Sequence, residues 1–298
     1  MKTFSLAELA QYSLVKAHTF RTWEKRFKSF VSKRTPKNIR YYTLDDLAFF
    51  LDISLLNRFG EKISSLDLLD KATVRQKASL LKGPTAMQED QINQLILDMM
   101  ALRVEQMESR LDAAVKDWGV DQTIEEIILP LIERLQLFSY KKHTSSEYHF
   151  VVTTLRKKLI LGIESFTPKE GANRTALLFL PEGEHFDLLL LYLDYRLQKS
   201  GLGVLYLGTN ISPLNLKNVV QQKTPDVVLT YVSNAQLKEA KVLSPYLEQK
   251  PSDVPYIVTV VNDTYKGFDK YEKVRFIPYA EAAAVACSSF EPPFLQCA

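Results

Sequence analysis

Positively charged side chains are concentrated near the N-terminus of this chain. Between Lys16 and Tyr42 there are nine Lys or Arg residues and a single acid, Glu24, so the segment carries a net charge of +8. The whole chain of 298 residues carries only +3, and the remaining residues therefore sum to −5. Cations clustered in this way neutralise phosphates and release counterions. The chemistry that this segment favours is binding to a nucleic-acid backbone.

Two short helices and a hairpin are predicted to present these cations. Ser5 and Glu8 have the spacing of a capping box, which predicts the start of a first helix, and a turn at 13–15 leads into a second. Two helices around a tight turn form a helix-turn-helix, whose second helix can enter the major groove. Pro36-Lys37-Asn38 is turn chemistry between extended runs at 30–34 and 39–42, which predicts a β wing.

The segment from Phe4 to Leu69 resembles the winged-helix domain of MerR-type transcription regulators. The resemblance is carried by Arg-x-Trp-Glu-x-Arg at 21–26, followed by Asn-Ile-Arg-Tyr-Tyr at 38–42. It implies that Arg21 and its helix neighbours probe the major groove, while the wing holds phosphates. The predicted DNA-binding residues are Lys16, His18, Thr19, Arg21, Thr22, Lys25, Arg26, Arg34, Lys37, Asn38, Arg40, Tyr41 and Tyr42.

Leu14 departs from the MerR pattern, because the family's turn usually has Gly at this position. Gly tolerates a positive φ and Leu does not, so we expect a reshaped turn with the docking faces retained. Two alternatives stand beside DNA binding: a basic amphipathic helix can be only a solvated surface, and a winged helix can bind protein. Trp23 and Phe27 are interpreted as core anchors. Because helix and wing occur together and in order, double-stranded DNA is the predicted partner.

The rest of the chain divides into helical and mixed segments. Apolar residues keep a helical period from Gln88 to Glu164, which predicts a four-helix bundle. The stretch from Ala78 to Gln88 contains Gly83-Pro84 and is interpreted as a linker, because Pro removes a backbone donor and disfavours helix before it. The predicted domains are a winged-helix head at 1–77, a linker at 78–87, the bundle at 88–166 and an α/β domain at 172–298.

The α/β domain is predicted from short apolar runs that alternate with amphipathic helices. Together they indicate a parallel, doubly wound sheet of the flavodoxin-like kind, and the fold class is multidomain α and α/β. The predicted strands lie at 175–180, 203–207, 226–231, 256–260 and 274–277. The predicted helices lie at 184–199, 213–222, 235–249 and 280–288.

Several functional classes are excluded by what the sequence lacks. It has no run of 18 apolar residues and no signal-peptide core, so a cytoplasmic protein without a membrane partner is expected. Cys287 and Cys297 are too few for a disulfide framework or a zinc site. Gly201-Leu202-Gly203 precedes a strand, whereas a phosphate loop would follow one. With no catalytic constellation elsewhere, the protein is predicted not to be an enzyme.

A bundle and a flavodoxin-like sheet behind a MerR-type head resemble the cobalamin-binding, light-responsive repressors. In that family the loop after the first strand carries Glu/Asp-x-His-x-x-Gly, whose His ligates cobalt, and the bundle carries a Trp and a Glu-His pair over the upper face. This chain has Glu184-x-Phe186-x-x-Leu189, with His185 adjacent. Phe138 stands for the Trp, and Tyr148-His149 stands for Glu-His.

These changes predict that the cofactor has been lost. A phenyl ring cannot ligate cobalt, and Thr230-Tyr231-Val232-Ser233 and Val261-Asn262 add volume where the family has small residues. We therefore expect no cofactor and no metal. The alternatives are a genuine cobalamin photoreceptor that uses His185 or His149, a corrinoid carrier for methyl transfer, and a degenerate module that binds a regulatory protein partner. Two heads usually read an operator, so a homo-oligomer is expected, assembled through 88–164 or through the α/β module.

Overall fold

A computed structural model describes residues 2–27, 33–135, 145–166, 174–232, 243–248, 254–260, 274–278 and 281. The chain forms two compact units. The first comprises residues 1–137 and 143–154, and the second comprises 138–142 and 155–298. No helix among the described residues is both long enough and apolar enough to cross a membrane.

The first unit begins with the predicted helix-turn-helix and wing. Helices α1 (Leu6–Ser13) and α2 (Ala17–Arg26) are followed by an antiparallel pair, β1 (Lys33–Arg34) and β2 (Arg40–Tyr41). The capping box is formed as predicted, since the Glu8 amide donates to Ser5 Oγ and the Ser5 amide donates to Glu8 Oε2. The predicted first wing strand lies partly outside the described residues, which resume at Lys33.

Helix α3 (Leu44–Arg58) lies at the centre of the first unit. A second capping box begins it, between Thr43 and Asp46, and it ends before Gly60, which has a φ of +100°. Ten of its residues are buried, including Asp52 and Phe49. It contacts α1, α5 (Lys71–Ser79) and α6 (Pro84–Met100), with α4 (Ile63–Leu66) beyond its C-terminus. The helix is therefore buried along most of its length.

The bundle helices follow after a much shorter joint than predicted. Helix α6 begins at Pro84, inside the predicted linker, because the first helical position needs no amide donor and suits the fixed φ of Pro. Only residues 80–83 separate it from α5. The chain continues through α7 (Val104–Trp118), α8 (Val120–Thr123), a π-helical turn at Ile124–Ile128, α9 (Leu129–Arg134) and α10 (Ser146–Glu164). Pro130, which has no amide to bond Glu126, lies two residues after the end of the π-helical turn.

The second unit holds a five-stranded parallel sheet. Its strands are β3 (Thr175–Pro181), β4 (Gly203–Ile211), β5 (Val227–Val232), β6 (Tyr256–Val260) and β7 (Val274–Pro278), in the spatial order β4-β3-β5-β6-β7. That order reverses at β3, as in flavodoxin-like folds, and the predicted fold class is confirmed.

Helices cover the sheet and come close to the predicted positions. Helix α11 (Leu188–Lys199) contacts β3, β4 and β5, and α12 (Pro213–Lys223) packs with α13 (Ser244–Glu248). Leu216, Val220, Leu243, Tyr246 and Leu247 of these two helices and their flanks share a buried cluster with Leu177 and Phe179 of β3. Helix α11 starts four residues later than predicted, because a tight turn with a positive φ at Gly183 follows β3. The predicted helix at 280–288 and most of that at 235–249 lie outside the described residues.

Candidate nucleic-acid interface and ligand face

Helix α2 is anchored by aromatic side chains on its inner face. The Phe20 ring stacks on Phe50 of α3 with centroids 3.6 Å apart, and Trp23 lies 5.4 Å from the same ring. Phe20, Trp23 and Phe27 are buried, so the predicted core anchors are confirmed. Because these rings fix one face of α2, the opposite face is directed to solvent with its charged residues.

The turn before α2 keeps the left-handed conformation despite its Leu. Leu14 has φ 56° and ψ 28°, so the expectation of a reshaped turn was wrong. The Leu14 amide donates to the Gln11 carbonyl, and the Val15 amide donates to the Ala10 carbonyl at 3.1 Å. These two bonds close the end of α1 and hold Leu14 in a conformation that an L-residue ordinarily avoids.

The wing is closed by a local network around Asn38. The Asn38 amide donates to the Thr35 carbonyl at 2.8 Å, and Asn38 has a φ of +61°, which Asn tolerates better than most residues. Its side-chain oxygen accepts a hydrogen bond from Arg34. Arg34 and Asn38 therefore stabilise the hairpin in addition to the DNA contact predicted for them.

Glu24 links α2 to the second wing strand. Its carboxylate lies 3.1 Å from Arg40 Nη1 and accepts from the Tyr42 hydroxyl at 3.3 Å. Tyr42 is fully buried and its ring packs edge-on against Phe20. Burial, followed by the charge of Glu24, raises the pKa of Tyr42 to about 12. Tyr42 is thus a correction to the predicted DNA-binding set, since a buried ring with its hydroxyl bonded inward does not reach a duplex.

Most of the other predicted DNA-binding residues are exposed to solvent. Thr19 and Tyr41 are partly buried, and the rest are exposed. Thr22 donates its hydroxyl to the His18 carbonyl at 3.2 Å. Within the described part of the first unit, no acidic side chain forms an ion pair with any of six cations on α2 and the wing, which are Lys16, Arg21, Lys25, Arg26, Lys33 and Lys37.

The cations of α5 are a useful contrast to this cationic face. Lys71 pairs with Asp46, Arg75 with Asp52 and Asp90, and Lys77 with Glu61. Charge on α5 is therefore neutralised within the protein, whereas charge on α2 and the wing stays available to an external polyanion. Phosphates close to such cations displace condensed counterions from DNA.

The second candidate site is the edge of the sheet where the strands end. In an open parallel sheet, ligands bind outside the carboxyl ends of the strands near the reversal of strand order, here at β3. The Glu184 amide donates to the Pro181 carbonyl, and the Gly183 amide donates to Asn210 Oδ1 at 3.0 Å. Asn210 itself has a φ of +59°. The loop after β3 is therefore tied to the end of β4.

Tyr246 also ties these loops together, although sequence reasoning did not predict a role for it. Its hydroxyl accepts from the Glu182 amide at 2.8 Å and donates to the Ile211 carbonyl at 2.6 Å. Its ring lies 5.5 Å from Phe179, and the residue is buried. The only sequence signal available was an aromatic residue in a helix beyond β5, which is ordinary core composition.

The predicted cofactor positions have very different environments. Glu184 and Leu189 are buried, Phe186 is partly buried and His185 is exposed. On α10, Tyr148 is buried and His149 is exposed, with ring centroids 5.7 Å apart. Phe138 lies outside the described residues. Across the described ranges, no group of three or more His, Cys, Asp or Glu side chains could hold a metal ion.

In the family that the chain resembles, a His after the first strand of the sheet would hold the cobalt of cobalamin, and the side chain at the matching position of this chain supplies no such donor. The position of the family's ligand holds the phenyl ring of Phe186, which has no lone pair, and Leu189 fills the core where the motif has Gly. Two buried hydroxyls in this unit, those of Tyr206 and Thr230, have no hydrogen-bond partner among the described residues. Burial and the nearby Asp187 and Asp194 raise the pKa of Tyr206, so its hydroxyl stays protonated.

Comparison with known proteins defines the class of the N-terminal segment. Residues 4–62 match the MerR HTH family of regulatory proteins, so the head is a MerR-type helix-turn-helix domain. Over 237 residues, the chain is 23% identical to the HTH-type transcriptional repressor CarH of Myxococcus xanthus. The aligned region covers 76% of this chain and 78% of that protein.

A solved structure supports the fold of the remainder. The monomethylamine corrinoid protein of Methanosarcina barkeri superposes with a TM-score of 0.53 at 14% identity, over 67% of this chain and 99% of that one. A likeness at this level of identity shows the fold alone. Together with the strand order, it confirms a parallel sheet of the flavodoxin-like kind.

Proposed function

We propose that this protein is a transcription regulator that binds double-stranded DNA through α2 and the wing, and that it has no enzymatic activity. The observation that carries the proposal is a set of six exposed cations on the helix and hairpin of a MerR-type domain, none of which pairs with an acidic side chain that the structure describes. The aromatic anchors on the inner face of α2 hold this helix so that Arg21 and Lys25 face outward. Two such heads in a homo-oligomer would read the two halves of an operator.

A salt titration tests the DNA-binding face. The probe is a duplex selected by the protein from a random pool, and binding is measured between about 50 and 200 mM salt. Lys25→Gln should weaken binding and lower the slope of log K against log salt by about one, as loss of one phosphate contact does. Lys77→Gln is the matched control, because Lys77 is paired with Glu61 and lies outside the face. Equal slopes for the Lys25 variant and the wild type would contradict the assignment.

We further propose that the α/β domain has lost cobalamin. The support comes from Phe186 at the ligand position, from buried Leu189 in place of Gly, and from loops after β3 and β4 that are closed by Tyr246 and Asn210. Burying Leu189 contributes about 25 cal/mol per Å² of apolar area, so the domain can be stable without a ligand. Protein purified from its own host should contain no cobalt and should show no cobalamin absorption. Stoichiometric, micromolar binding of adenosylcobalamin would contradict this proposal.

A second candidate function is a cobalamin-dependent, light-sensing repressor that uses an unusual ligand. The resemblance of the chain to the cobalamin-binding, light-responsive repressors favours it, and His185 is exposed beside Phe186. If this candidate is correct, added adenosylcobalamin should bind, and His185→Ala or His149→Ala should change the visible spectrum of the bound cofactor. A third candidate, a cofactor-free module that acts through a partner protein, shares the DNA-binding head and would show no cobalamin spectrum.

A further inference from the structure

The first turns of α6 carry polar side chains that bind the helix-turn-helix. Glu89 lies 2.8 Å from Arg58 at the end of α3, and Arg58 also donates to the Ser13 carbonyl at the end of α1. Ser13 directly precedes the Leu14 turn that starts the path into α2. One guanidinium of the head therefore connects the turn of the helix-turn-helix to a bundle helix.

Glu89 is itself held from within the bundle. Arg134 of α9 is buried, and its guanidinium binds both Glu89 and Asn93 of α6. The Arg134 carbonyl accepts from Gln11 of α1 at 3.2 Å. Arg134 holds the Glu89 carboxylate in one position. Glu89 therefore loses little side-chain entropy when it pairs with Arg58.

The neighbouring residue of α6 makes a second connection. Asp90 accepts from Arg75 Nη2 with both carboxylate oxygens, each at 2.8 Å, and Arg75 also pairs with buried Asp52 of α3. Arg75 belongs to α5, so this guanidinium joins two head helices to α6. Because Nη2 binds Asp90 and Nη1 binds Asp52, the planar guanidinium is held at both of its ends, which fixes its orientation.

We propose that the pairs Arg58–Glu89 and Arg75–Asp90, here called the latch, fix the orientation of α2 on the bundle and so determine which half-site separations the oligomer accepts. This inference rests on the proposed function as an oligomeric DNA-binding regulator. Arg58 and Asp90 are positioning residues in this scheme, since neither lies on the DNA-binding face.

The latch would determine the accepted separations because a head fixed on the bundle and a head on a flexible tether bind two half-sites differently. Two fixed heads can engage two half-sites together only when the separation matches the oligomer, in steps of about one helical turn of 10–10.5 bp. When geometry forbids the second contact, the gain from bivalency, on the order of 10²-fold, is lost. Heads that swing on the four-residue joint at 80–83 would instead accept many separations with similar affinity.

The experiment compares the full chain with the double variant Arg58→Gln/Asp90→Asn. These substitutions remove both latch pairs and the Arg58 bond to the Ser13 carbonyl, while Arg134–Glu89 and Arg75–Asp52 remain intact. The probes are duplexes that carry two copies of a half-site, taken from a sequence the protein selects from a random pool, at separations increased one base pair at a time. A single half-site duplex measures the affinity of one head.

The wild type should show a sharp maximum of affinity at one separation and its helical repeats. The double variant should bind the single half-site unchanged, while its affinity varies less than about threefold across separations. Trypsin should also cleave the double variant faster at Lys82, which is exposed in the joint. Glu61→Gln is the matched control, since it breaks an exposed ion pair inside the head.

An insertion gives an independent test if the double variant folds poorly. Four Gly/Ser residues added after Lys82 lengthen the joint and leave the latch intact, so the separation profile should stay sharp. A flat profile in the wild type, an unchanged profile in the double variant, or a flattened profile in the insertion variant would each overturn the latch. Failure to select any duplex would instead contradict the proposed function.

Discussion

Leu14 carries backbone strain at the point where the helix-turn-helix changes direction. A left-handed conformation costs an L-residue about 1–2 kcal/mol, and Gly avoids that cost. The side chain is 57% exposed, so it contributes little burial in exchange. The hydrogen bonds of the Leu14 and Val15 amides, together with the packing of α1 and α2, determine the turn here, and they outweigh the preference of the residue itself.

Leu14→Gly is therefore expected to stabilise the protein. The gain should be about 0.5–1 kcal/mol, because relief of the left-handed conformation exceeds the extra entropy that Gly gives the unfolded chain. Urea unfolding followed by tryptophan fluorescence measures the change. Leu14→Ala serves as the control, since it removes the exposed side chain and keeps the Cβ. An equal gain for the Ala variant would show that exposure of the Leu side chain, and not its φ, is the unfavourable feature.

Glu24 modulates the DNA-binding face through Arg40. Its carboxylate neutralises Arg40, which is otherwise exposed on the wing. Glu24→Gln should release this cation, strengthen binding to all DNA sequences and raise the slope of the salt dependence by about one. Gln can still accept the Tyr42 hydroxyl, so the core contact is kept. Arg40→Gln should abolish this gain, so in its background Glu24→Gln should leave the slope unchanged. A slope that does not respond to either substitution would remove Arg40 from the phosphate contacts.

At the scale of elements, the predicted helices and strands are found in the structure where residues close together in the sequence specify them. The five strands were predicted because each is a short apolar run between turn residues, and buried parallel strands have that pattern. The capping box at Ser5 and the helix end at Gly60 were likewise predictable from a few neighbouring residues. These features depend on chemistry within about one helical turn.

Elements that depend on distant partners were described less well by the sequence. The apolar pattern of α3 did not indicate that Phe49 and Asp52 are also buried, because the residues beside them, Lys71 and Arg75, belong to α5. Pro84 indicated a linker, although in this context it is the first residue of a helix. Tyr42 was predicted to contact DNA, since nothing local distinguishes a wing tyrosine that points outward from one that packs on Phe20. Tyr246 was missed because its hydrogen bonds join loops far apart in sequence.

Tyr246 gives a prediction about the connection between the loops after β3 and β4. Tyr246→Phe keeps the buried ring but removes the acceptor for the Glu182 amide and the donor to the Ile211 carbonyl. The cost should be about 0.5–1.5 kcal/mol, because the two hydrogen bonds are only partly buried and water can reach the groups that lose their partner. Hydrogen exchange at the Glu182 amide should accelerate. Tyr192→Phe on α11 is a comparison in which the phenol bonds an arginine on its own helix, and exchange at Glu182 should stay slow.

At the scale of the whole molecule, the DNA-binding head combines an exposed cationic surface with carboxylates that are buried in the same unit. The basic segment near the N-terminus has a net charge of +8, whereas the whole chain has a net charge of +3. In the same unit, α3 buries Asp52, whose carboxylate pairs with Arg75 near Asp90. One guanidinium thus serves two carboxylates, and the buried one bears the greater cost of desolvation. The stability of the DNA-binding head should therefore depend on pH.

Burial raises the pKa of Asp52 from its ordinary 3.8 to about 7, and the opposing charge of Arg75 does not reverse the shift. Between these two values the folded protein binds more protons than the unfolded chain, so the free energy of unfolding should fall as pH rises from about 4 to 7. The contribution of Asp52 to that fall is at most about 4 kcal/mol. Trp23 and Trp118 both lie in the first unit, so tryptophan fluorescence during urea unfolding at pH 5 and pH 8 reports on this unit. Asp52→Asn should shrink the difference between the two pH values, whereas Glu61→Gln on the surface should not. An undiminished difference in the Asn variant would show that another group is responsible.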